Sequence, residues 1–242
     1  MTTLTSHGIH PRPVLRSLAV IAAICAIAAC SRTTQMSDVK PAGGFLPQPV
    51  LLQPGKSGEA SLVYLNPQMS SGGYDKVILD PVTIWVGQDS RLNDLPADVQ
   101  QSLADTFNGH IYEALSNECQ MTTEPGPNTI RVRVALTDAV QSDPGLNTIS
   151  TYIPQAHVVS TLAAFAFNDG AGVFAGSASA EGYATDSKTG VLLWQAVDQR
   201  AGQNALGTNT FNSWEDVDNA FVAWSKQFAE RLRKLGICQK QA

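Results

Sequence analysis

The sequence predicts an α+β domain: a two-layer arrangement in which a mixed sheet of about four strands is covered on one face by two long helices. Three observations predict it. Segments 96–118 and 214–235 carry apolar residues every three to four positions, the period of a helix with one buried face. Segment 129–140 alternates apolar and polar residues, the period of a half-buried strand. The elements follow the order strand, helix, strand, apolar segment, hairpin, helix, so one sheet and two one-sided helices can bury each other's apolar faces.

The first element is an address. Arg12 and Arg16 precede an uninterrupted apolar run, Leu18 to Ala29, which ends at Cys30 behind Ile27-Ala28-Ala29. A basic stretch, an apolar run and small residues at a cut site occur here in the order of an export signal. The pattern resembles the lipobox of bacterial lipoproteins, in which the chain is cut before an acylated cysteine. The run is shorter than the roughly 20 residues that a spanning helix needs. Residues 1–29 are therefore expected to be a lipoprotein signal peptide, with Cys30 as the lipidation site and the membrane as a partner through the lipid. The alternative is a plain secretory peptide. Ser31 stands where an Asp would favour the inner membrane, by resemblance to Gram-negative sorting, and so points to the outer membrane.

Residues 30–44 show no apolar period and are expected to be a flexible tether reaching about 20 Å. Residues 45–242 are expected to form a single domain. Its lead-in, 45–73, is broken by Pro47, Pro49, Pro54 and Pro67 and admits one short edge strand at 61–65. Segment 76–86 is rich in β-branched and aromatic residues, with Pro81 marking a bulge or an edge. The first helix follows, with Asp94 as a candidate cap, Pro96 in the first turn, and Val99, Leu103, Phe107, Ile111 and Leu115 in one stripe. Pro125-Gly126-Pro127 breaks the chain before strand 129–140.

Segment 153–176 is ambiguous between a short apolar helix over the sheet and a surface that meets a bilayer or a partner. Its Val158, Leu162, Phe165 and Phe167, with Trp194, form a candidate partner or ligand surface. A hairpin then turns at Asp186-Ser187-Lys188-Thr189-Gly190. Its first arm, 177–184, is built of small residues. The last helix has Ser213 as its expected cap and Asp216 at the capping-box position. Its stripe is Val217, Phe221, Trp224, Phe228, Leu232 and Leu235, and Gly236 stops it.

Composition narrows the function. The chain carries 16 Lys and Arg against 21 Asp and Glu, and loss of Arg12 and Arg16 with the signal takes the net charge from −5 to −7. Nucleic acid, which rewards basic clusters, is not an expected partner. Cys25 leaves with the signal and Cys30 takes lipid, so Cys119 and Cys238 remain, each just beyond a predicted helix. An oxidising compartment permits a disulfide between them, and parallel neighbouring helices would bring them together. Two unpaired buried thiols are the alternative. Only His110 and His157 remain, a poor supply of metal ligands, and no metal or cofactor is expected.

Motifs that name a reaction fail on spacing. Gly55-Lys56-Ser57 lacks the upstream glycine of a phosphate loop, and Val50 stands in its place. The glycines at 170–176 precede a strand rather than a helix. Asp75, Asp80, Asp169, Glu181 and Asp198 are carboxylates that acid–base chemistry could use, and solvated or turn roles are the default for all five.

The block from Gly73 to Trp85, Gly-Tyr-Asp-Lys-Val-Ile-Leu-Asp-Pro-Val-Thr-Ile-Trp, resembles the bacterial lipoproteins of the domain-of-unknown-function family DUF3313, as do the long helix after it and the 186–190 hairpin. The likeness spans about 45–235. It implies a Gram-negative, lipid-anchored protein and carries no catalytic residues. The expected function is a non-enzymatic accessory or binding protein of the cell envelope, on the periplasmic side of the outer membrane, with an envelope protein as partner. The alternative is a module for a small hydrophobic ligand or a glycan, walled by strand 177–184 and Trp194 or Trp85. A hydrolase is the third.

Overall fold

The computed structural model of the chain describes residues 33–69, 73–142, 176–202 and 213–238. Cys30 and the candidate surface residues Val158, Leu162, Phe165 and Phe167 lie outside the described residues.

Both long helices form where their periodicity places them: α1 spans Ala97–Glu118 and α2 spans Glu215–Lys234. Leu103, Phe107, Ile111 and Leu115 of α1 are buried, as are Val217, Phe221, Trp224 and Leu232 of α2. Phe107 stacks on Phe221 with ring centroids 4.5 Å apart and planes 10° from parallel. Contacts advance together along both helices, from Phe107 with Phe221 to Cys119 with Cys238, so the helices run parallel. Neither expected cap acts as one. Pro96 and Trp214 occupy the cap positions, and no side chain caps either helix. The Ser213 carbonyl accepts the Ser142 N–H at 2.9 Å, and Asp216 accepts the Gly176 N–H at 2.8 Å. At the start of α2, bonds to strand ends replace local capping. No helix among the described residues is long and apolar enough to cross a membrane.

Among the described residues the sheet has nine strands, where about four are expected: β1 Thr33–Gln35, β2 Gln53–Pro54, β3 Leu62–Leu65, β4 Lys76–Leu79, β5 Thr83–Ile84, β6 Gln120–Met121, β7 Thr129–Val140, β8 Ser177–Asp186 and β9 Leu192–Gly202. Their order is β2-β3-β9-β8-β7-β4-β6, with β1 also on β9 and β5 also on β7. β4 and β5 run parallel to β7, and β6 runs parallel to β4, across the α1 crossover. The other pairings are antiparallel. The surplus arises because β1, β2, β5 and β6 are two or three residues long, too short to display a period. Pro81, which has no N–H, splits the expected strand 76–86 into β4 and β5, and both pieces still pair with β7.

Ile130, Val132, Val134 and Leu136 of β7 join the helices in one core with Ala180, Ala184 and Leu193. The opposite face is not bare, which departs from the expected two layers. Residues 42–48 lie across it. The Ala42 N–H donates to Glu181, Gln48 and Gln195 exchange two hydrogen bonds, and the Phe45 ring meets Tyr183 at 5.3 Å.

Residues 33–44 also depart from the expected flexible tether. Thr33, Thr34 and Gln35 pair with Gly202, Ala201 and Arg200. Gln35 Nε2 reaches the Glu59 carbonyl at 2.9 Å and Asp198 at 2.6 Å, and the Met36 N–H reaches the Gln199 carbonyl at 2.9 Å. Trp85 Nε1 donates to the Gly43 carbonyl at 2.8 Å. Several backbone groups of this polar stretch are held by the margin of β9, by Glu181 and by neighbouring loops, a tertiary pairing that leaves no mark in composition.

Candidate functional site

The arms of the β8–β9 hairpin bring small side chains into register. Ala180 faces Asp198, Gly182 faces Ala196, and Ala184 faces Trp194. Alanine and glycine leave space that helix α2 does not fill. The result is a cavity of about 100 Å³ between the sheet and the helices, with Phe107, Ile111, Trp194, Trp224 and Phe228 among its walls. Trp194 is the member of the expected ligand surface that the structure places here. Its indole stacks on Phe228 at 4.9 Å. A Cβ on Gly182 would come within 3.3 Å of that indole, so glycine lets the tryptophan lie against β8. Trp85, the other candidate wall, lies elsewhere, against Gly44 and Phe45, and is 40% exposed.

Asp198 closes one side of the cavity. Its carboxylate accepts Trp224 Nε1 at 2.7 Å, Gln35 Nε2 at 2.6 Å, Ser61 N–H and Oγ at 2.9 and 2.6 Å, and Arg200 Nε at 3.3 Å. These donors come from β1, the turn before β3, β9 and α2, so one carboxylate gathers four parts of the chain. Glu59 and Arg231, paired at 2.6 Å, border the cavity, as does Gln227. Sequence reasoning set Asp198 beside four other carboxylates without singling it out. The available signal was an acid at the end of the mostly apolar stretch Val191-Leu192-Leu193-Trp194-Gln195-Ala196-Val197, where an unpaired charge is costly to bury.

Asp80 and Glu181 do not pair with Asp198: Glu181 contributes to the cavity lining, but its carboxyl is engaged by Ala42 on the opposite face. Asp80 lies on the opposite face of the sheet. Burial alone would raise its pKa, but Arg131 Nε at 2.8 Å and Arg133 Nε at 2.7 Å hold it below the ordinary value. Glu181 is buried on that face under residue 42. Burial pushes its carboxyl above the ordinary value of 4.5 against the opposing Ala42 N–H bond, and its Oε2 has no hydrogen-bond partner. A raised folded pKa means stability that is complete at low pH and lost as pH rises through that pKa. Glu181→Gln keeps the acceptor for Ala42 and removes the charge. Its thermal midpoint is therefore expected to exceed that of the parent by a few degrees at pH 8 and to show no such gain at pH 4. A gain at both pH values, or at neither, would disprove the assignment.

A second, wider depression of about 480 Å³ lies between the first halves of α1 and α2, with Val99, Leu103, Trp214 and Phe221 in its walls and Asp98 and Asp218 at its edges. His110 Nε2 lies 2.9 Å from Asp218. Among the described residues, no group of three His, Cys, Asp or Glu side chains is placed to hold a metal ion. Cys119 and Cys238 form a disulfide just past the ends of α1 and α2.

Residues 41–228 match the family described as proteins of unknown function, DUF3313, and the chain belongs to that family. No curated protein matches it. Among solved structures, it is similar to PelC from Paraburkholderia phytofirmans, a dodecamer, at 12% identity over 74% of this chain and 96% of that one, with a TM-score of 0.38. It is also similar to XCC0632 from Xanthomonas campestris, of family DUF330, at 9% identity over 71% and 91% of the two chains, with a TM-score of 0.38. Lipoprotein GNA1162 from Neisseria meningitidis is 13% identical over 64% and 99%, with a TM-score of 0.23.

Proposed function

We propose that this family member is a non-enzymatic lipoprotein of the cell envelope, anchored through Cys30 on the periplasmic side of the outer membrane, that binds a small hydrophobic ligand between α2 and the β8–β9 hairpin. The observation that carries the binding is the cavity and its aromatic walls. Recognised ligand sites are concave, mostly apolar and supplied with few polar groups. Asp198 has its lone pairs occupied by five donors, which suits a structural carboxylate better than a proton carrier. An apolar cavity of about 150 Å³ accepts benzene. The space here, about 100 Å³, suits a few methylenes or part of a ring, with the remainder of the ligand in the mouth beside Gln227 and Arg231.

Ala196 lies between Gly182 and Val63 in the sheet, so a larger side chain there enters the cavity. Ala196→Leu is expected to weaken binding of the fluorescent probe 1-N-phenylnaphthylamine by tenfold or more while the cooperative unfolding transition is kept. Equal affinity in a folded variant would remove this function. Palmitate incorporation into the parent, absent from Cys30→Ser, is the matching result for the anchor.

A protein partner in the envelope is the second function, favoured by Trp85 and Val86, neighbours that are 40% and 41% exposed. Val86→Asp is expected to abolish a reproducible crosslink to that partner, and a crosslink unchanged by it would count against this face.

A further inference from the structure

We infer that one pole of the domain, where β1, the end of β9 and the start of α2 meet, is the face turned toward the bilayer. The inference rests on Cys30 as the anchor. It begins from β1, which is fastened by its pairing with β9, by Arg200 Nη1 on Thr33 Oγ1 at 3.3 Å, and by Gln35 on Asp198. Only residues 31 and 32 separate Cys30 from Thr33. Three extended residue steps span about 10 Å. A domain of roughly 200 residues has a radius of gyration of about 16 Å. The link is shorter than the body it holds, so the body cannot turn its far side to the membrane.

The same pole collects other chain ends. Gly202 N–H donates to the Gly176 carbonyl at 2.8 Å, and Ser142 N–H donates to the Ser213 carbonyl at 2.9 Å. Because the helices are parallel, α1 also begins here, and the 480 Å³ depression lies between the first halves of the two helices. Val99, Leu103 and Trp214 give it apolar walls that suit lipid chains. Asp98 and Glu215, close to the helix starts, would be repelled by anionic headgroups, while Asp218 beside them is engaged by His110. The partner surface is therefore a zwitterionic bilayer. The disulfide and the 187–190 turn mark the opposite pole. The 20 residues of α2 set the two poles about 30 Å apart.

The test uses the mature chain from Cys30 with the Cys119–Cys238 disulfide intact, coupled through the Cys30 thiol to a maleimide lipid in phosphatidylcholine vesicles that carry a rhodamine headgroup acceptor. A donor dye is placed on an azido-bearing residue at exposed position 94, near the inferred membrane pole, or at exposed position 188, at the far pole. Energy transfer to the bilayer is expected to be several-fold greater from position 94. Equal transfer, or greater transfer from 188, would overturn the inference. Ten Gly and Ser residues inserted after Arg32 are expected to abolish the difference, and its persistence would refute the short link as the cause. The coupling is chemical, so a failure of acylation in cells would show in palmitate labelling and leave this result unaffected.

Discussion

Loss of the Cys119–Cys238 bond is expected to lower the thermal midpoint by roughly 10–20 °C. The two cysteines are 119 residues apart in sequence. Closing a loop of that length removes about 5 kcal/mol of denatured-state entropy in the chain-entropy model. A chain of this size loses about 2–4 °C per kcal/mol. Both residues are buried, so the bond lies inside packed structure and is shielded from reductant in the folded protein. The measurement is circular dichroism melting of the parent beside the Cys119→Ser/Cys238→Ser variant. A variant that melts with the parent would show that the bond constrains nothing. The export proposed through the Cys30 signal accords with a fold that depends on this link.

Asp198→Ala is expected to cost about 3–5 kcal/mol, the range for removing one partner from a buried charged network. Truncation strands the Trp224 indole N–H, both Ser61 donors and the Gln35 amide, and it leaves Arg200 without the carboxylate. The control is Asp80→Ala. Its partners Arg131 and Arg133 have 37% and 43% of their side-chain surface exposed, so water can replace the lost carboxylate and the cost should stay near or below about 1 kcal/mol. Urea unfolding of the two variants decides the matter. Equal losses would mean that Asp198 is no more a junction than a surface pair. Detachment of Gln35 should also make β1 exchange its amide hydrogens before the rest of the sheet, visible by mass spectrometry.

Long, one-sided elements were legible in the sequence because their burial repeats. The stripe from Val99 to Leu115 located α1, the alternation from Ile130 to Leu136 located β7, and Asp186 to Gly190 located the hairpin turn. Parallel helices followed from the two cysteines beyond their ends. What escaped was structure made by partners distant in the chain. Thr33-Thr34-Gln35 is a strand only because β9 offers a free margin, and Gln120-Met121 only because β4 does. Residues 42–48 cover the second face through backbone bonds to Glu181 and Gln195, which no periodicity announces. The cavity was half legible. Trp194 and the small residues of 177–184 marked two of its walls, while Phe107 and Trp224 were read only as core, since packing and ligand contact use the same side chains.

The outer strands β2 and β6 are each two residues long, and β2 ends in Pro54, which has no N–H to offer. A long, flat rim would invite a neighbour's rim to zip against it, and molecules confined to one surface collide often. Rims this brief can lend only one or two bonds to such a meeting. Edge-to-edge pairing through these two strands is therefore disfavoured.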